Sequence, residues 1–60
     1  MFYSVQYDAG SGALLEEPQT TLTQAILEAV ALSEIYGSAQ VAYNGTPMLL
    51  YRNGEKEYVL

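Results

Sequence analysis

The segment from Thr21 to Tyr36, TLTQAILEAVALSEIY, is the feature that most limits what this chain can fold into. It contains no glycine or proline, and its alanine, leucine, glutamine and glutamate residues favour a helix. Thr21 and Gln24 fit a capping box, in which the threonine hydroxyl accepts a hydrogen bond from the backbone N–H three residues on. Gly37 follows where a left-handed residue commonly ends a helix. The segment therefore predicts one helix with defined ends.

The predicted helix has apolar residues on two sides. At about 100° per residue, one broad face forms the core side. This face contains Leu22, Ala25, Ile26, Ala29, Val30, Leu32, Ser33 and Tyr36. On the opposite side, Leu27, Ala31 and Ile35 form a second apolar row, which we call the outer stripe, bordered by Thr23, Gln24, Glu28 and Glu34. An ordinary surface helix carries charges there, so we expect the outer stripe to contact a partner.

Two strands are predicted before the helix. In residues 2–8, aromatic and β-branched residues alternate with polar ones, which is typical of a half-buried strand. The sequence DAGSG at residues 8–12 predicts a turn, because aspartate bonds its own backbone and glycine allows positive φ. Residues 13–17 then form a second short strand. We expect Pro18 to end it, because proline has no N–H to donate.

Two Asn-Gly pairs, at residues 44–45 and 53–54, predict tight hairpin turns after the helix. They divide the rest of the chain into strands at residues 38–43, 47–52 and 55–60. The element order is ββαβββ. It indicates one compact domain over residues 1–60, an α+β fold with a single helix packed on an antiparallel β-sheet.

The two turns also predict which residues share a sheet face. Counting from them pairs Val41 with Met48 and Leu50 with Glu57. One face then holds Ala39, Val41, Tyr43, Met48, Leu50 and Val59, and we expect the helix to cover it. The other holds Gln40, Ala42, Leu49, Tyr51, Lys56 and Tyr58, which leaves Leu49, Tyr51 and Tyr58 partly exposed. If the faces are reversed, the exposed set changes but an apolar patch remains.

Composition excludes several kinds of chemistry. The 60 residues include no cysteine and no histidine, so disulfides, thiolate ligands and histidine-based acid–base catalysis are excluded. Nucleophilic mechanisms need a base beside the nucleophile, and the only lysine, Lys56, lies in a predicted hairpin. We expect no enzyme activity and no catalytic, cofactor or metal site.

Charge favours a protein partner of opposite sign. Seven acidic residues face two basic ones, which gives a net charge of −5. Nucleic acid is disfavoured as a direct ligand, because its phosphates are bound largely by lysine and arginine. An anionic membrane would repel the chain, whereas a basic protein would attract it. Simple solubility also explains an acidic surface.

Targeting signals are not evident. No stretch reaches the roughly 18 apolar residues of a membrane span, and the sequence MFYSVQYD lacks the basic start of a signal peptide. We expect a soluble, cytoplasmic protein.

The overall profile resembles small phage-encoded anti-CRISPR proteins, which are often acidic, poor in cysteine and built from a sheet with one or two helices. This resemblance implies a non-enzymatic inhibitor of a bacterial nucleic-acid-binding complex, in some cases one that mimics DNA, acting in the bacterial cytoplasm. The segment from Met1 to Tyr36, with MFYSVQYD, GSG and TLTQAILEA, also looks like the start of HicB-type antitoxins.

Two hypotheses follow. The leading one is a partner-binding inhibitor whose acidic surface engages a basic, nucleic-acid-binding protein or complex. The alternative is a self-associating structural or antitoxin-like module, in which the outer stripe is a homodimer seam. The candidate partner-binding residues are Asp8, Glu16, Glu17, Leu27, Glu28, Ala31, Glu34, Ile35, Tyr51 and Tyr58.

Overall fold

The computed structural model describes residues 2–59, and the side chains of residues 2–57. Its elements are β1 (Tyr3–Asp8), β2 (Leu14–Gln19), α1 (Leu22–Tyr36), β3 (Ser38–Tyr43), β4 (Thr46–Arg52) and β5 (Glu55–Val59). The predicted α+β fold with one helix and the order ββαβββ is confirmed. The side-chain positions predicted for Tyr58 and Val59, and the predicted last strand residue Leu60, lie outside the described residues.

The strands form one antiparallel sheet in the order β2-β1-β3-β4-β5. β1 lies between β2 and β3 and is antiparallel to both. The chain therefore leaves β2, crosses one face of the sheet as α1, and returns as β3 on the other side of β1. This crossing leaves β2 and β5 as the two edge strands.

Both predicted ends of α1 are confirmed. The Thr21 hydroxyl accepts a hydrogen bond from the Gln24 N–H at 3.1 Å, and Gly37 adopts a φ of 100°. Both Asn-Gly turns are confirmed as well. Asn44 and Asn53 have φ values of 51° and 53°, the left-handed conformation that a primed hairpin turn requires.

Short side chains bring α1 close to the centre of the sheet. Ala25, Ala29 and Ser33 are the fully buried positions of the helix among the described residues. They face Val5 on β1 and Val41 on β3, which are both fully buried. Other apolar residues surround this contact. Tyr7, Ala39 and Tyr51 complete the buried cluster, and Tyr3, Leu22, Ile26, Val30, Leu32 and Leu49 pack against it.

The predicted face of β4 is wrong, because β4 carries a bulge. Val41 pairs with Leu49 instead of Met48, and the register shifts between Val41 and Ala42, so that Met48 is an extra residue. The bulge adjoins Pro47, which cannot donate to a regular ladder. Leu49 therefore faces the helix.

The same shift corrects the prediction for Tyr51. This residue pairs with Ala39 and is only 7% exposed, so it belongs to the core and not to an exposed patch. A second irregularity, between Leu50 and Tyr51, pairs Leu50 with Tyr58 instead of the predicted Glu57.

β2 does not end at Pro18 as predicted but continues to Gln19. Pro18 pairs with Ser4 inside an unbroken register. An edge strand tolerates proline when the position of the missing N–H faces away from the neighbouring strand. The tertiary position of β2 therefore overrides the local signal.

A buried hydroxyl joins the helix to the last hairpin. Ser33 Oγ donates to Val30 O at 2.9 Å and accepts from the Gly54 N–H at 2.8 Å. Nearby, the Asn53 N–H donates to Gly37 O at 3.1 Å. These bonds hold the turn between β4 and β5 against the C-terminal end of α1.

We expect Ser33→Ala to lower the free energy of unfolding by about 1–3 kcal/mol, because it leaves the Gly54 N–H without its acceptor. For a domain of this size, each kcal/mol corresponds to a fall of roughly 4–8 °C in Tm. Circular dichroism during thermal and urea unfolding measures the change. Ser11→Ala, at an exposed turn, is the control and should change little. Equal stability of the two variants would contradict this role for Ser33.

Candidate protein-binding surface

The outer stripe is exposed on the helix surface that faces away from the sheet. Leu27 and Ile35 are 65% and 68% exposed, and Ala31 between them is exposed too. Ala25, Ala29 and Ser33 are buried on the opposite side, so the outer stripe makes no contribution to that packing. Contiguous exposed apolar patches are typical of contact surfaces, which makes the outer stripe a candidate for one.

Two carboxylates border the outer stripe. Glu28 is half-buried beside it, and Glu34 is exposed. The Glu34 side chain lies over the last hairpin turn, where a Cβ atom on Gly54 would come within 2.7 Å of Glu34 Oε2. The helix surface therefore combines an apolar centre with negative charge on its flanks.

Tyr7 of β1 contacts both the helix and β2 on the side of the sheet that the helix covers. The Tyr7 and Tyr36 rings stack with centroids 5.5 Å apart and planes 19° apart. Tyr7 Oη donates to Glu17 Oε2 at 3.0 Å. This hydrogen bond, burial, and the charges of Glu17, Tyr36 and Glu28 raise the pKa of Tyr7 above 10.0. Tyr7 therefore stays a neutral donor that fixes the position of the Glu17 carboxylate.

Glu16 is held on the opposite sheet face, which we call the helix-free face. Its Oε2 accepts from Ser4 Oγ at 2.7 Å and from Gln6 Nε2 at 3.1 Å. Gln6 Oε1 in turn accepts from Gln40 Nε2 at 2.6 Å. The hydrogen bonds from Ser4 and then Gln6 lower the pKa of Glu16, although partial burial opposes them. Glu16 and Glu17 thus point to opposite faces, as the alternation of a strand predicts.

The polar network also explains two buried residues that the sequence assigns to a solvent face. Ser4 is fully buried and Gln6 is 9% exposed, although both alternate with the apolar residues of β1. Gln6 Nε2 also lies 3.4 Å from Gly45 O, in the turn between β3 and β4. Their burial is tolerated because their polar atoms are hydrogen-bonded.

Asp8 has a local structural role. Its Oδ1 accepts from the N–H groups of Gly10 at 2.8 Å and Gly12 at 3.2 Å. These bonds stabilise the turn between β1 and β2, in which both glycines have positive φ. The Asp8 side chain remains exposed, so its charge still contributes to the acidic surface.

The candidate residues therefore occupy separate places. Leu27, Glu28, Ala31, Glu34 and Ile35 share the helix surface. Glu16 and Glu17 lie on β2, and Asp8 is the last residue of β1. Tyr51 is buried, and the side chain of Tyr58 is outside the described residues.

The structure also contains a groove that the sequence did not predict. It has a volume of about 660 Å³ and is lined by Phe2, Tyr3, Pro18, Gln19, Thr20 and Tyr43. The Tyr3 and Tyr43 rings lie 5.0 Å apart in it. Its residues come from three distant parts of the chain, so no local pattern marks it. None of them is charged.

Comparisons with protein-family models, curated proteins and solved structures found no match. Within residues 2–59, no group of histidine, cysteine or acidic side chains is arranged to hold a metal ion. The described helix lacks the length and apolar character needed to cross a bilayer. The geometry of the surface is therefore the basis for interpreting its function.

We expect an acid-sensitive contribution to stability from Glu16. Because its pKa is lowered in the folded state, the contribution is present above the unfolded pKa of about 4.3 and is lost as pH falls through the folded value. Carboxyl ¹³C NMR titration should place the Glu16 midpoint below that of an unfolded peptide.

Ser4→Ala removes the larger cause of this shift, so the Glu16 midpoint should rise toward its ordinary value. Ser11→Ala is the matched control and should leave it unchanged. A Glu16 midpoint that is insensitive to Ser4→Ala would contradict the assignment.

Proposed function

We propose that this protein is a non-enzymatic inhibitor that binds a basic, nucleic-acid-binding protein or complex. The observation that carries the proposal is the separation of charge across the sheet. Both basic residues, Arg52 and Lys56, lie in the hairpin of β4 and β5. Arg52 Nε is already paired with Glu57 Oε2 at 2.9 Å.

In the rest of the molecule, every charged side chain is negative. Asp8, Glu16, Glu17, Glu28 and Glu34 are distributed over the end of β1, β2 and α1, with no lysine or arginine among residues 2–51. β2 and β5 are opposite edges of the sheet, so the acidic residues of β2 lie away from the mixed-charge hairpin, whereas Glu34 of α1 reaches over the turn of that hairpin. A surface of one sign attracts a partner of the other sign and accelerates its association.

Two carboxylates of β2, one on each face of the sheet, are held in fixed positions before any partner binds. Glu16 accepts hydrogen bonds from Ser4 and Gln6, and Glu17 accepts one from Tyr7. Prior ordering reduces the entropy lost on binding. Negative charges at fixed positions resemble the phosphates that the nucleic-acid-binding groove of a protein recognises. This supports DNA mimicry, the mode that the resemblance to anti-CRISPR proteins implies.

The outer stripe supplies the apolar part of the proposed contact. Leu27 and Ile35 are the most exposed large apolar residues among those described. Burial of apolar area contributes about 25 cal/mol per Å², whereas exposed ion pairs contribute about 0–1 kcal/mol each. Charge therefore guides the partner to the surface, and the outer stripe adds affinity.

Self-association through the outer stripe is the alternative, and exposed Leu27 and Ile35 are the observation that favours it. Charge opposes it. If two antiparallel helices meet around a twofold axis at Ala31, Leu27 of one copy faces Ile35 of the other. The same arrangement places the two Glu28 side chains on one flank of the contact and the two Glu34 side chains on the other, and like charges brought together at an interface are unfavourable.

We expect the protein to sediment as a monomer at high micromolar concentration and moderate salt, because nothing on the outer stripe neutralises Glu28 and Glu34. Analytical ultracentrifugation checks this. A dimer that Leu27→Ser dissociates would favour the self-associating module instead.

We expect capture of a basic nucleic-acid-binding protein from a nuclease-treated bacterial lysate to be strongly salt-sensitive. Binding should fall steeply between about 0.05 and 0.5 M salt, because exposed charges are screened over a Debye length that shortens from roughly 14 to 4 Å. Glu28→Lys or Glu34→Lys should weaken binding of the purified partner at least tenfold.

Glu55→Lys is the matched control, because each of the three variants changes the net charge from −5 to −3. It alters the mixed-charge hairpin and should retain affinity. Binding that is independent of salt, or equal losses in all three variants, would refute a contact at the acidic helix surface.

A further inference from the structure

β2 is an edge strand whose outward backbone groups can be identified. The Asn44 N–H donates to Phe2 O at 2.9 Å, which shows that even-numbered residues of β1 bond to β3. In an antiparallel sheet the bonding direction alternates along a strand, so Tyr3, Val5 and Tyr7 bond to β2. Their partners are Gln19, Glu17 and Leu15.

The remaining residues of β2 direct their backbone groups away from the sheet. These are Leu14, Glu16 and Pro18, at alternate positions. Leu14 and Glu16 each present an N–H and a C=O, and Pro18 presents only a C=O. The position of Pro18 agrees with this assignment, because an edge strand tolerates proline when its nitrogen faces outward. The edge therefore offers two donors and three acceptors to an added strand.

The side chains along this edge favour a basic strand. Glu16 lies on the helix-free face and Glu17 on the helix side, each held by the hydrogen bonds described above. Leu14 and Leu15 are also exposed at the start of β2. Opposite charges directly across a strand pair stabilise it by about 0.2–1 kcal/mol per pair. The other edge, β5, carries Glu55, Lys56 and Glu57 and has no comparable single sign.

The uncharged groove lies at the C-terminal end of the same edge. Pro18 and Gln19 of β2 form one side of it, together with Thr20, and Phe2, Tyr3 and Tyr43 form the rest. A segment that continues along β2 reaches this groove, whose aromatic rings accept an apolar side chain. Backbone bonding and alternate side-chain contacts are the usual components of strand addition.

A second copy of this chain fits the edge poorly. If two β2 strands pair in antiparallel orientation, residues that direct their backbone outward lie opposite each other, so the register centred on the strand places Glu16 of one copy against Glu16 of the other. β2 contains no lysine or arginine to compensate.

We infer that the outer edge of β2 binds an extended basic segment of a partner protein as a sixth strand of the sheet. The inference rests on the proposed function for the sign of the partner's charge. It specifies where the partner binds and by which backbone contacts, at a site separate from the outer stripe.

The test uses a capped ten-residue peptide of alternating threonine and valine with adjacent lysine and arginine at its centre. NMR should show the amide protons of Leu14 and Glu16 shifting downfield and exchanging at least tenfold more slowly, because they gain hydrogen bonds. Leu15 and Glu17 amides, which already bond to β1, should exchange at a nearly unchanged rate.

Two controls separate strand addition from simple attraction of charge. The same peptide N-methylated at its four central amides keeps every side chain but loses its donors, and should bind at least tenfold more weakly. The double variant Glu16→Gln and Glu17→Gln should also lose affinity about tenfold. The matched pair Glu55→Gln and Glu57→Gln, on the other edge, should retain it.

Equal binding of the methylated and unmethylated peptides would overturn the inference, as would shifts confined to residues 27–35. Neither result affects the proposed function, which the helix variants and the purified partner test independently. Concentration-dependent shifts of Leu14 and Glu16 without peptide would indicate self-pairing of β2 and would also overturn it.

Discussion

The close contact between α1 and the centre of the sheet is the constraint on which the rest of the structure depends. Ala25, Ala29 and Ser33 are short, so little apolar volume separates the helix from Val5 and Val41. In a chain of 60 residues without cysteine, this thin core has no disulfide to support it. Tyrosines at its margin and the Ser33 bond to the last hairpin complete the packing. Bulky residues on α1 that do not fit this contact remain in solvent.

Most of the local structure follows from local signals. The threonine cap, Gly37 and the two Asn-Gly turns define the helix and the final hairpins, because each acts through backbone conformation within a few residues. The separation of Glu16 from Glu17 follows from strand alternation. The exposure of Leu27 and Ile35 likewise follows from helical periodicity, because the buried face is defined by residues three and four positions apart.

The features that could not be predicted depend on contacts between distant segments. The bulge at Met48 is an irregularity of pairing with β3, and it moves Tyr51 from a predicted contact surface into the core. Continuation of β2 through Pro18 depends on its place at the sheet edge. The burial of Ser4 and Gln6 depends on Glu16, Gln40 and a turn about 40 residues away, so no short window of sequence shows it.

The fold also determines where charge and apolar area are displayed. Because β1 inserts between β2 and β3, β2 and β5 become opposite edges, and the two basic residues lie in the hairpin of β4 and β5. The helix and β2 then present carboxylates together with exposed leucine and isoleucine. The basic partner that we propose would complement this surface in charge.

Competition with DNA is the most direct test of the proposed inhibition. The measurement is fluorescence anisotropy of a labelled duplex bound to the purified basic partner, titrated with this protein at constant salt. We expect the DNA to be released as the protein saturates the partner, and we expect the apparent affinity of the protein to weaken in proportion to added competitor duplex. A ternary complex that retains the DNA at saturating protein would contradict it.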